Sequence, residues 1–146
     1  MFVPKSNTSI KVYEQKNAIY KNCTLGNYYI SASKYETMKS FEVFPKDIIV
    51  SCAGTIGETY VLPDNAPKGI INQALMKIKL FNPEILDFYL IYFDYILKNQ
   101  AKRNSKGSAI KNIPPFEILK RMLMPIPPLA EQIRIVDKID EIFVKL

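Results

Sequence analysis

Asp47-Ile48-Ile49-Val50-Ser51-Cys52-Ala53-Gly54-Thr55-Ile56-Gly57-Glu58-Thr59-Tyr60-Val61-Leu62 reads as two β-strands and the turn between them. β-Branched and apolar residues fill 47–52 and 58–62, and Gly54 and Gly57 permit backbone angles that a side chain resists, so the segment predicts a hairpin. The turn is not a phosphate cradle. It lacks the Gly-Lys-Ser/Thr ending of a P-loop, and no helix follows it. The four-residue clamp of a KH module has the same length, but that clamp joins two helices, whereas strand-like runs flank this one.

Outward toward the N-terminus, Phe44-Pro45-Lys46-Asp47 predicts a turn, and Ser33-Lys34-Tyr35-Glu36 resembles a capping box that opens a short helix to about Ser40. Further back, 10–13, 18–20 and 28–30 read as short strands separated by Asn, Lys and Gly. Residues 1–9 are polar and patternless, which suggests a mobile arm. Toward the C-terminus, a turn at Pro63-Asp64-Asn65 precedes a third strand over 70–80, in which Ala74, Met76, Ile78 and Leu80 alternate with Leu75, Lys77 and Lys79. Asn82 then caps a helix that Pro83 can enter, Phe81 is placed to staple onto Leu86, and the helix runs to about Ala101. It is apolar on most sides, with Asp87, Asp94 and Lys98 lining a narrow polar stripe, so it is expected to be a buried support.

After a basic loop, Phe116 to Arg121 suggests one short helix before Met124-Pro125-Ile126-Pro127-Pro128, a strap stiffened by proline. Pro128 fits a first helical turn, and Glu131 sets negative charge near the positive end of the helix dipole. The helix that follows has two apolar seams. Leu129, Ile133, Val136 and Phe143 form one, and Ile135, Ile139, Ile142 and Leu146 form the other, while Glu131, Arg134, Asp137, Lys138, Glu141 and Lys145 cover the remaining side. A helix resting on one core needs a single seam, so the second is expected to meet a partner helix. The expected fold is α+β: a small twisted, mostly antiparallel sheet with a buried helix and a projecting C-terminal amphipathic helix. The expected organisation is an arm over 1–9, a compact domain over 10–124, and the strap with its helix over 125–146.

Bulk properties narrow the function. A chain of 146 residues forms one domain that buries roughly two thirds of its unfolded surface without metals or disulfides. Two cysteines make no disulfide framework, and no basic-then-apolar leader is visible, which suggests a cytoplasmic protein. The most apolar run, Phe88 to Phe93, is far short of the ~20 residues of a membrane span. The chain has no histidine, which removes Ser-His and Cys-His nucleophiles and histidine metal sites together. Cys52 lies in an apolar strand, Cys23 has no adjacent ligand partner, and the carboxylates form no tight pair followed by lysine such as a metal-dependent nuclease needs. No catalytic residue, metal or cofactor is expected. The net charge is +6, and all but three of the twenty cations are lysines. Lys98, Lys102, Arg103, Lys106 and Lys111 fall between Asp94 and Glu117 with no acidic residue among them, which favours an acidic partner.

Several stretches carry a family resemblance: Val12 to Ile19, Tyr29-Ile30-Ser31, Asp47 to Gly57, Gly69-Ile70-Ile71-Asn72-Gln73-Ala74-Leu75, Gly107-Ser108, Ile110, Asn112-Ile113 and Pro127-Pro128-Leu129-Ala130-Glu131-Gln132 with Ile135-Val136 beyond. In order and approximate spacing, from Ile10 to Leu146, the chain resembles one target-recognition half of a type I restriction-modification specificity subunit. The resemblance implies a non-enzymatic protein that selects one part of a bipartite double-stranded DNA target and holds it for methyltransferase subunits and a restriction-translocase subunit. Full subunits of that family carry two recognition domains separated by long helices. Here there is one, and the last helix reaches Leu146 without a glycine or polar cap, so a half-length or trimmed product is expected, and the second seam suggests pairing into a homodimer.

DNA reading needs cations for phosphates and amides, hydroxyls or guanidinium groups for base edges. The 102–112 segment holds both: Lys102, Arg103, Lys106 and Lys111 as phosphate contacts, and Asn104, Ser105, Ser108 and Asn112 nearer to bases or to loop support. Lys16, Asn17 and Lys21 form a second candidate patch. A different reading makes the chain chiefly an assembly module that docks methyltransferase subunits through its last helix, with little DNA affinity alone.

Overall fold

The computed structural model describes the backbone of residues 1–104, 113, 114 and 116–144, and the side chains of the same set apart from 98–104. The protein is α+β, with two small, mostly antiparallel sheets and several helices ending in the C-terminal one. It divides into two compact units, Met1–Lys79 and Leu80–Leu146.

The first unit contains β1 (Ile10–Tyr13), α1 (Gln15–Ile19), β2 (Tyr29–Ile30), α2 (Ala32–Glu36), β3 (Glu42–Val43), β4 (Ile48–Ser51), β5 (Thr59–Val61), β6 (Gly69–Ile71) and β7 (Leu75–Ile78). One sheet has the order β2-β1-β6-β3 and the other β5-β4-β7. The hairpin forms as expected, with Ile48 opposite Val61 and Val50 opposite Thr59. β4 is central to its sheet, and Ile48, Ile49 and Val50 are wholly buried. In the other sheet β1 and β6 run parallel, with Val12 opposite Ile70 and Tyr13 opposite Ile71. Alternation along these strands sends Tyr13 and Ile71 into a core with Ala18, Cys23, Val43, Ile49, Leu62 and Leu75, and sends Val12 and Ile70 into a second core with Ile30 and Tyr35.

The structure departs from the sequence reading at three places in this unit. Residues 18–20 are not a strand, because Gln15–Ile19 is helical. The buried side chain of Asn17 accepts from Glu14 N at 2.8 Å and donates to Asn22 O and Leu25 O, both at 2.8 Å, which winds the chain into a corner. The cap of α2 is Ser31, whose Oγ accepts from Lys34 N, so the helix starts earlier and ends at Glu36. The third strand is broken at Asn72, whose Oδ1 accepts from Ala74 N at 3.0 Å, and the two halves join different sheets as β6 and β7. Such an Asx turn diverts the backbone while the apolar pattern continues through it. Within residues 1–9, Val3 N donates to Tyr29 O at 2.9 Å, and Ser6 and Ser9 bond one another.

The second unit contains α3 (Leu86–Asn104), α4 (Phe116–Leu119) and α5 (Leu129–Val144). Asn82 caps its entry as expected, with Oδ1 accepting from Glu84 N at 3.0 Å above a 3-10 turn at Pro83–Ile85. Phe81 makes no staple, because its ring is fully exposed. On α3, Phe88 and Leu97 are buried while Tyr95 is exposed, and Phe88–Tyr92 and Tyr89–Phe93 stack one turn apart. α3 and α5 pack together. At the strap, Pro128 O accepts from Glu131 N and Gln132 N, and Glu131 holds Arg134 through two hydrogen bonds of 2.7 Å.

Two substitutions test the first unit. A Cβ added at Gly69 would stand 2.6 Å from Tyr13 Cε2 and 2.7 Å from Lys11 O, so Gly69→Ala is expected to lose about 2 kcal/mol or more in urea denaturation. Asn17→Ala strands two buried carbonyls and one N–H and is expected to lose about 2–4 kcal/mol; a loss below about 1 kcal/mol would show that the corner forms without it.

Candidate nucleic-acid interface

The described part of the predicted interface is the corner around α1. Lys16 lies on the exposed side of this helix. Its Nζ is 3.0 Å from Glu14 Oε2 and 5.9 Å from the ring centre of Tyr28, which stacks on Phe2 at 4.5 Å. Lys21 follows the helix with a left-handed backbone, φ 50, and its Nζ donates to Glu58 Oε2 at 2.8 Å and to Thr59 O at 2.6 Å. Both lysine side chains are close to half exposed, 41% and 47%. Asn17 sits between them in sequence but is wholly buried with its amide spent on the backbone, so it shapes the corner and presents nothing to a ligand.

Lys102, Arg103 and Asn104 fall in the last turn of α3, which runs beyond Ala101. Their side chains, and Ser105, Lys106, Ser108, Lys111 and Asn112 altogether, lie outside the described residues.

Two residues that the sequence reading passed over organise the loops beside α1. Gln15 Nε2 donates to Ala53 O in the hairpin turn and reaches Ala74 O at 3.4 Å, tying together two loops that are far apart in sequence. Gln73 and Thr55 are exposed on those loops, and Gly54 (φ 66) has open space where a Cβ would stand. The turn is further closed by Ser51 Oγ, which donates to Thr55 O at 2.6 Å and accepts from Glu58 N. Lys11 is buried, with Nζ donating to Leu25 O at 2.6 Å between the rings of Tyr13 and Tyr29; burial lowers its pKa from the usual lysine value. The only sequence signal for such a role is a lysine within an apolar strand, and the partners of both residues are too distant along the chain to be read.

On α5, Ile135 and Ile139 are half-buried and Ile142 is exposed, while Leu146 lies outside the described residues. Of the first seam, Val136 is half-buried, but Leu129, Ile133 and Phe143 are exposed. Among the described residues, neither seam is covered along its whole length. Among the described residues no group of acidic or cysteine side chains could hold a metal ion, and burial raises the Cys52 thiol pKa, away from nucleophilic reactivity. No helix is long and apolar enough to cross a membrane, among the residues described.

Comparison with known proteins gives the same family as the motifs. The model of the type I restriction modification DNA specificity domain matches residues 3–145. The chain is also 32% identical over 127 residues to a putative type I restriction enzyme specificity subunit of Haemophilus influenzae, and the match covers 84% of this chain and 32% of that protein. It thus spans about a third of the length of that relative. With nearly every residue inside the matched range, the chain belongs to the type I restriction-modification DNA specificity domain family.

Proposed function

We propose that this chain is a non-catalytic, cytoplasmic DNA-recognition subunit of a type I restriction-modification system, reading one half of a bipartite target and presenting it to methyltransferase and restriction subunits. The observation that carries this reading is the family match over residues 3–145. In it, residues 10–124 form the reader, and 125–146 form a strap and partner helix. The net charge of +6 supports an acidic ligand. Lys102, Arg103, Lys106 and Lys111 are assigned to phosphates, and Asn104, Ser105, Ser108 and Asn112 to bases or loop support. Lys16 and Lys21 join the phosphate set. The Lys21–Glu58 pair is close to half exposed on both sides, and such pairs contribute roughly 0–1 kcal/mol, so a phosphate can displace Glu58 at little cost, whereas Glu14 Oε2 is buried and Lys16 would have to keep it while meeting a phosphate.

The exposure of Ile142 on α5 supports a second element of the reading, a homodimer through Ile135, Ile139, Ile142 and Leu146, which would join two readers into one. A docking module with little DNA affinity of its own is the contrasting possibility.

Titration of labelled duplexes at several salt concentrations separates them. A reader loses affinity steeply as salt rises, and the Lys106→Ala/Lys111→Ala variant is expected to bind every sequence more weakly, with a log–log salt slope smaller by about 2. Absence of binding at low salt would sink the DNA reading, and an unchanged slope in the variant would move the phosphate site elsewhere. For the helix, Ile142→Asp is expected to convert a concentration-dependent dimer to monomer in sedimentation with an unchanged circular dichroism spectrum; a wild-type chain that is monomeric at all concentrations would refute the pairing.

A further inference from the structure

Within the second unit, the 3-10 turn at Pro83–Ile85, the start of α3 and the second turn of α5 enclose a cleft of about 90 Å³, lined by Glu84, Asp87, Phe88, Gln132, Ile133, Val136 and Asp137. Its charge opposes that of the chain. Three carboxylates surround it in a protein of net charge +6, and none of the three has an ion-pair partner among the described residues. Glu131 and Glu141 on the same helix, by contrast, are paired with Arg134 and Lys138.

The second observation is Gln132. It is 3% exposed; its Nε2 donates to Pro127 O at 2.8 Å, and its Oε1 has no hydrogen-bond partner. A buried carbonyl oxygen left unpaired is costly, so its retention calls for a donor. The carboxylates do not converge as metal ligands do. The space suits a small flat group that carries positive charge, several N–H donors and weakly hydrated faces able to rest on Phe88, Ile133 and Val136. A guanidinium has these properties, whereas an ammonium is a compact, strongly hydrated point charge.

We propose that this cleft is a socket for an arginine side chain presented by a protein partner, with Glu84, Asp87 and Asp137 supplying the charge and Gln132 Oε1 accepting one guanidinium N–H. The socket does not depend on the DNA reading and stands if that reading fails.

The test uses the whole chain and follows the Gln132 side-chain amide and the Ile133 and Val136 methyl signals by NMR. Nα-acetyl-arginine amide is the probe, and the citrulline analogue, similar in shape but uncharged, is the control. Saturable shifts at these three residues are expected with arginine, with affinity on the order of tenfold weaker for citrulline and for the Asp87→Asn/Asp137→Asn variant. Gln132→Met, which keeps the packing and removes the acceptor, is expected to weaken arginine binding while leaving the spectrum of a folded chain. Equal shifts with citrulline, or arginine binding unchanged in the aspartate variant, would make the cleft a plain apolar crevice and overturn the proposal. So would loss of self-association in the aspartate variant without any arginine response, since the occupant would then be a second copy of the chain.

Discussion

The first unit depends on the buried amide of Asn17. Its strands are two to four residues long, too short for ladders alone to fix the chain path between them. Asn17 closes the corner from β1 through α1 to β2 by taking one N–H and giving two to carbonyls at 22 and 25. Lys11 reaches the same loop at Leu25 O and the neighbouring Gly26 O, and Gly26 itself has a left-handed backbone with φ 96. With the corner set, Ala18 and Cys23 enter the core with Tyr13, Ile49 and Leu75, and both sheets have a common interior to close on.

Legibility in the sequence followed the range of the forces involved. The hairpin at 48–61, the Asn82 cap, the turn at 44–47 and the α5 start are each determined by residues within a few positions, and each is present. The segment 18–20 looks like a strand because Ala-Ile-Tyr suits one, but the competing influence is a side chain bonding as far along as Leu25. Ser33, with Glu36 three residues on, has the capping-box pattern, yet Ser31 is the cap because the chain leaves β2 at Ile30 and turns there. The run from Gly69 to Ile78 keeps its apolar alternation across Asn72, so periodicity conceals the point where the chain changes sheet.

The candidate interface shows the same division. Charge is a property of composition, and the structure adds that Lys16 and Lys21 are each close to half exposed and already beside a carboxylate. Residue type alone could not separate Asn17 from its neighbours, since an asparagine that reads a base and one that closes a corner are the same letter. Gln15 and Gln132 were invisible for a related reason: a glutamine in a short polar stretch carries no mark of the carbonyl it will meet.

The tethers in this protein share one property. Asn17, Lys11, Gln15, Tyr13, Lys77 and Gln132 all donate from a side chain to a main-chain carbonyl, at positions 22, 25, 26, 53, 67, 42 and 127 among others. A carbonyl is supplied by every amino acid, so the held loops are indifferent to what side chains they bear. Thr55 and Gln73 sit on such loops. The scaffold therefore separates holding from displaying: exposed loop residues can be exchanged, even many at once, without loosening the ties beneath them, and surface chemistry can diversify on an unchanged frame.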